Sequence, residues 1–184
     1  MARRLTELLE QAGYKQLGLD HFARPDDSLA IRQLNRNFQG YTTDRADALI
    51  GLGASAIGRF PQGYVQNAVS AADYTRRVEH GSLGTVRGWA LTPDDRLRAF
   101  VIERLMCDFV FSSRTLSDHF GLLASELKRE AEAIVAEDAD GLVERIDDGF
   151  RLTQRGRPFV RNFCSRFDTY LIRTATDTKH SLSV

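Results

Sequence analysis

Cysteine is nearly absent from this sequence. The 184 residues contain two, Cys107 and Cys164, far apart and with no Cys-x-x-Cys or Cys/His pattern around either. That excludes a recognisable zinc site or thiolate cluster and leaves nothing for a disulfide framework. Scarce cysteine without a secretory signal pattern fits a reducing compartment, so a cytoplasmic location is expected. No apolar run approaches the ~20 residues of a membrane span. Net charge is absent as well, because 25 Lys and Arg offset 25 Asp and Glu. That balance exerts no general pull on nucleic acid or an anionic membrane. The distribution is uneven, however. Residues 114–148 hold four basic and ten acidic side chains, whereas residues 151–184 hold seven and two.

What is present is globular composition, 42% hydrophobic and 27% charged, enough for one ordinary domain or two small ones. Leu5, Leu8 and Leu9 give residues 2–12 a helical period, and Gly13 stops it. Residues 14–19 read as a strand, so the opening predicts an αβ unit of a barrel or sheet. Residues 35–43 read as a polar, aromatic loop, and residues 48–60 as a buried strand ending in a Gly/Ala/Ser turn. Ser70 and Asp73 form a capping box for a helix ending near Gly81. Thr92-Pro-Asp-Asp95 marks a boundary and opens a helix with Leu97, Val101, Leu105 and Phe109 on one face. A short helix near Leu116–Phe120 follows, then one capped by Ser125 and running toward Glu137. Asp147-Asp148-Gly149 signals a hairpin, and Thr153 opens a last long helix. The expected architecture is α/β over residues 1–90, then a mainly helical, winged-helix-like domain over 91–184, with Trp89 of the linker packed between them.

Several side chains invite both a chemical and a plain reading. Ile57 alone is a core residue. His21 beside Asp20, Asp26 and Asp27 lacks a second His, so a structural hydrogen bond or a lining role outweighs a metal site. Arg24 and Arg36 suit bidentate carboxylate recognition, or a surface salt bridge with a neighbouring Asp. The candidate recognition helix of a DNA-binding winged helix, residues 125–132, carries three Glu against one Lys and one Arg, which repels phosphate.

Three stretches carry a family resemblance: Gly18-Leu-Asp-His-Phe-Ala-Arg-Pro-Asp-Asp27, Arg36-Asn-Phe-Gln-Gly-Tyr-Thr-Thr43, and Leu52-Gly-Ala-Ser-Ala-Ile57 with Gln66-Asn67 after it. In this order they resemble the oxygen-independent coproporphyrinogen oxidases, the coproporphyrinogen dehydrogenase family of radical S-adenosylmethionine enzymes. Leu152-Thr-Gln-Arg-Gly-Arg157, Arg161-Asn162 and Phe167-Asp-Thr-Tyr170 are similar to that family's closing segment. The related haem-chaperone family keeps the glycine-rich stretch but not the first two. The family's CxxxCxC cluster motif and early barrel strands are not in this sequence, and the stretch between Asp27 and Arg36 is a few residues shorter than usual. A carboxyl-terminal part of a longer enzyme is therefore expected.

The resemblance implies an enzyme that decarboxylates two propionates of coproporphyrinogen III to vinyl groups. A [4Fe–4S] cluster held by the absent amino-terminal part would reduce S-adenosylmethionine to a hydrogen-abstracting radical. It further implies a second S-adenosylmethionine lined by Ile57 with Gly53, Ala54, Ser55 and Ala56 beside it. The carboxyl domain would cover the open end of the barrel. No catalytic residue, metal ligand or nucleic-acid partner is expected in this chain, and a monomer is expected for the whole enzyme. The rival reading is a non-catalytic module that handles haem or binds nucleic acid.

Overall fold

The computed structural model describes residues 2–174, with side chains from Arg4 to Leu171. Two compact groups emerge. One contains residues 2–36, 41–43 and 97–174; the other contains 37–40 and 44–96.

Helix α1 (Ala2–Gln11) forms as its leucine period predicts, and Gly13 ends it at φ 88°. Its apolar side is open: Leu5 is 57% exposed and Leu8 47%. Strand β1 (Lys15–Leu17) pairs antiparallel with β2 (His21–Ala23), Leu17 facing His21. The expected parallel αβ unit is not what forms here; the chain turns back at Gly18 (φ 53°) within one hairpin. Asp27 caps the one-turn helix α2 (Ser28–Ile31), its carboxylate accepting from the Leu29 N–H at 2.8 Å. The stretch expected as a loop is a second hairpin, β3 (Asn35–Asn37) and β4 (Gly40–Thr42). No apolar alternation announces strands of three residues each.

In the other group, β5 (Ile57–Phe60), β6 (Gly63–Asn67) and β7 (Thr85–Ala90) make an antiparallel sheet in that order. Helix α3 (Ala71–Glu79) connects β6 to β7, with Ser70 capping it through the Asp73 N–H as its sequence predicts. The buried strand expected over 48–60 is corrected. Only its last four residues are strand; Ile50 is 72% exposed and Leu52 84%. Trp89 lies in β7 opposite Tyr64, 57% exposed, rather than in a linker. The sheets β1–β2 and β5–β6–β7 are antiparallel, and the described residues close no barrel.

Helix α4 (Pro93–Asp108) starts on a reciprocal cap. Asp95 accepts from the Thr92 N–H at 2.8 Å, and Thr92 Oγ accepts from the Asp95 N–H at 3.1 Å. Leu97, Val101 and Leu105 face inward, and α4 ends on buried Phe109 at φ 60°, a strained position for an aromatic residue. Strand β8 (Val110–Ser112), helix α5 (Ser113–Phe120), a 3-10 turn and helix α6 (Ala124–Glu137) come next. Strands β9 (Val143–Ile146) and β10 (Gly149–Leu152) form the expected hairpin, and β10 also pairs with β8. Ser125 does not cap α6; its hydroxyl donates to the Leu122 carbonyl at 2.9 Å, inside the preceding turn. The last long helix is instead a 3-10 turn, α7 (Val160–Phe167) and α8 (Thr169–Thr174). Asp168 breaks it, capping α8 through the Tyr170 and Leu171 N–H groups.

The core of this group is centred on Phe150, Phe111 and Phe167. Phe111 stacks on Phe150 at 5.5 Å and on Phe167 at 6.0 Å, and Phe150 and Phe167 are both 0% exposed. Arg98, 9% exposed, clamps Glu130 at 2.9 and 3.1 Å, tying α4 to α6.

Phe150→Ala should lower unfolding free energy by about 3–5 kcal/mol in denaturant titration, the usual cost of an aromatic-sized core cavity. Two carboxylates also make stability depend on pH. Backbone N–H groups of Val143 and Leu142 hold Asp138 below its ordinary range, and the Ser112 hydroxyl does the same for Asp148. Their contribution is complete above the unfolded carboxylate range, about pH 4, and is lost as pH falls through the folded values. Asp138→Asn should flatten that acid decline in melting curves recorded between pH 6 and 2.5.

Candidate functional site

The Gly53–Ile57 turn is wired from behind. Gly53 donates its N–H to the Tyr74 hydroxyl at 3.1 Å, and Asn67 Nδ2 donates to the carbonyls of Gly51 and Gly53, 3.0 Å each. Ser55, at φ 62°, donates its N–H to the Ala68 carbonyl at 2.8 Å and accepts from Gln66 Nε2 at 3.1 Å. The Ala56 carbonyl accepts from the Asn67 N–H at 3.0 Å. These backbone groups are spent on neighbours, which fixes the shape of the turn. A Cβ at Gly53 would meet nothing within 4 Å, while one at Gly51 would strike the Ile57 main chain at 2.8 Å. Half-buried Ile57 starts β5 beside that open flank. Asn67 and Tyr74 are the bracing residues that the sequence did not identify. Gln66-Asn67 stood out in the sequence, but nothing there tells which carbonyls Asn67 would hold.

The two arginines part company. Arg24 pairs with Asp26 at 3.4 Å with both side chains largely exposed, which is the plain salt bridge. Arg36 is half-buried, and among the described residues it makes no ion pair. Its backbone N–H donates to Glu103 at 2.7 Å and its guanidinium lies 5.2 Å above the Tyr41 ring. Its Nε is buried without a hydrogen-bond partner. His21 contacts Asp20 at 2.8 Å and meets the Tyr41 ring edge-on at 4.8 Å. No group of three potential metal ligands occurs among the described residues.

Comparison with known proteins places this geometry. A family model described as the HemN C-terminal domain matches residues 91–159. The oxygen-independent coproporphyrinogen III oxidase of Bradyrhizobium diazoefficiens is 43% identical over 91% of this chain and 38% of its own length. That of Paracoccus denitrificans is 45% identical over 89% of this chain and 37% of its own. The solved coproporphyrinogen III oxidase (HemN) of Escherichia coli, described as a radical SAM enzyme, superposes with a TM-score of 0.83 at 40% identity, over 92% of this chain and 40% of that one. Residues 91–159 carry the HemN C-terminal domain, and the chain is similar to oxygen-independent coproporphyrinogen III oxidases across nine-tenths of its length. It spans about 38% of the length of the Bradyrhizobium relative.

A radical SAM relative raises the question of whether this segment can ligate a cluster. Its thiols do not fit the task. Cys107 and Cys164 are both buried, and burial pushes each thiol up to about 12. A thiolate is the ligand and the nucleophile, and neither residue yields one near neutral pH. Cys164 instead rests 3.8 Å from the Ile102 carbonyl, inside the core around Phe150. Both thiols should therefore resist alkylation at pH 8 until the chain is unfolded. Anaerobic addition of iron and sulfide should leave no stoichiometric thiolate-to-iron absorption; a stable cluster on this chain would contradict the burial.

Proposed function

We propose that this chain supplies the carboxyl-terminal portion of an oxygen-independent coproporphyrinogen III oxidase, which decarboxylates two propionates of coproporphyrinogen III to give protoporphyrinogen IX in haem biosynthesis. The supporting observation is identity above 40% to such enzymes across nine-tenths of the chain. Residues 1–90 act as part of a radical SAM barrel and 91–184 as a winged-helix-like cap. The start of the family match at residue 91 supports that boundary. The order α4–β8–α5–α6–β9–β10, with β10 between β8 and β9, supports the winged-helix reading.

Within the whole enzyme, Ile57, Ala56, Ser55, Ala54 and Gly53 would line a second S-adenosylmethionine. The apolar Ile57 flank and the open side of Gly53 suit a flat nucleoside face. S-adenosylmethionine, with a cluster bound outside this chain, supplies the oxidising chemistry; these residues contribute shape and exclude water. Arg36 would receive a substrate carboxylate, the role its lack of an internal partner supports, with Arg24 as the weaker candidate.

The enzyme is read as monomeric and cytoplasmic. Among the described residues no helix is long and apolar enough to cross a membrane. Nucleic acid is not among its partners. The recess beside α6 and the β9–β10 hairpin sets Glu132, Asp147 and Asp148 against Lys128 and Arg145, which gives phosphate no net attraction.

The test joins this chain to the cluster-binding region of the Escherichia coli enzyme and measures anaerobic decarboxylation. Activity is expected, and its loss on Ile57→Asp. A charge in an apolar ligand wall should weaken S-adenosylmethionine binding by about 2–5 kcal/mol. The melting temperature should change little. A variant with unaltered cofactor affinity and turnover removes Ile57 from the site, and a collapsed melting temperature makes it a core residue instead.

A further inference from the structure

The hydroxyl of Tyr41 is shared between two main-chain groups. It accepts from the Leu19 N–H at 3.0 Å and donates to the Met106 carbonyl of α4 at 2.9 Å. Burial raises its pKa, so it keeps the proton that the second bond needs. It enters a hole only glycine leaves: a Cβ on Gly18 would lie 1.9 Å from the hydroxyl oxygen. This anchoring fixes the ring, and both faces of the first two sequence motifs meet there. His21 stands edge-on at 4.8 Å, and the Arg36 guanidinium lies 5.2 Å from the ring centroid.

Arg36 differs from Arg98 and Arg104 but not from Arg157, whose Nε is likewise buried without a partner and whose guanidinium lies 4.9 Å from the Phe109 ring. Arg98 and Arg104, with side chains 10% and 12% exposed, each hold a carboxylate, Glu130 at 2.9 Å and Asp108 at 2.8 Å. Arg36 is held by its backbone through Glu103 and by an aromatic face, neither of which neutralises it. Contact with a ring uses none of the guanidinium N–H groups, the donors that grip a carboxylate through two parallel bonds.

We infer that Tyr41 is a positioning residue: its hydroxyl locks the ring between the β1–β2 turn and α4, and its ring presents Arg36 to a carboxylate of the substrate. This rests on the reading of Arg36 as a carboxylate receptor. The hydroxyl and the ring then have separable duties, which a simple core plug would not have.

The fused, complete enzyme tests this with Tyr41→Phe, Tyr41→Leu, Arg36→Gln and the double variant Tyr41→Leu/Arg36→Gln. Arg36→Gln should raise KM for coproporphyrinogen III about tenfold, and Tyr41→Leu nearly as much, with kcat within about threefold of the parent. Tyr41→Phe should raise KM less than Tyr41→Leu does while melting at lower temperature, because the ring stays and only its anchor is lost. The double variant should be no worse in KM than Arg36→Gln alone, since one residue acts through the other. If the two KM losses multiply, Tyr41 does not act through Arg36 and the inference fails while the carboxylate reading stands. A parent-like KM for Arg36→Gln instead removes the carboxylate reading, and the inference with it. A second measurement covers a variant that does not assemble. In the 184-residue chain, the Arg36 Nε–H proton resonance should show a ring-current shift that survives in Tyr41→Phe and vanishes in Tyr41→Leu. An unshifted resonance in the parent chain overturns the proposal.

Discussion

Arg104 sits on α4 with its side chain 12% exposed, and its donors reach in two directions. One nitrogen holds Asp108 a helical turn later at 2.8 Å; the other reaches the Leu34 carbonyl at 2.7 Å and Asn35 Oδ1 at 3.3 Å. A guanidinium desolvated to this degree is costly unless nearly every donor is used. Here that requirement fixes the chain entering β3 against α4. Glu103, the preceding residue, then takes the Arg36 N–H, and the Met106 carbonyl takes the Tyr41 hydroxyl. One helix thus does two jobs: Leu97, Val101 and Leu105 build the core, and the adjoining polar positions orient the β3–β4 hairpin. Helix periodicity separates the two stripes by about 100° per residue, so the core does not compete with the polar grip.

That division explains what could be read in advance. The caps at Ser70 and Thr92, the Leu97–Leu105 face, the Asp147-Asp148-Gly149 hairpin and the stop at Gly13 follow from local chemistry, which a sequence states directly. The failures are equally local in cause. β1–β4 and β8 are three residues long, too short for alternation to appear. Phe159, Phe163 and Phe167 keep a four-residue spacing, but Asp168 caps a new helix after them and so ends the first. Ser125 looks like a cap in sequence, but its hydroxyl is taken by the turn before it.

The candidate site was legible to a smaller degree. The Gly53–Ile57 stretch was identified by likeness, but its rigidity comes from Asn67 and Tyr74, 14 and 21 residues away from Gly53. The partner of Arg36 lies 67 residues on, at Glu103, and Met106 is 65 residues from Tyr41. Contacts at such separations leave no periodic trace in one sequence. What the sequence can report is their by-product: a glycine at 18 where any Cβ would collide with Tyr41, seen as an unexplained Gly within a motif.

The exposed apolar side of α1 belongs to the same logic. Leu5 and Leu8 keep a helical spacing whose only physical use is burial, yet they stand 57% and 47% exposed. Ile50 and Leu52 are open in the same way, 72% and 84%, next to a turn whose polar groups are satisfied. A solved relative aligns over 40% of its own length, so about three-fifths of that fold has no counterpart in these 184 residues. Hydrogen bonds here close over short range while the neighbouring apolar side chains stay open. Backbone groups demand partners within about 3 Å, whereas apolar side chains can wait for any surface that excludes water. The bonds therefore form within the segment, while the apolar side chains of α1 and of residues 50–52 stay open.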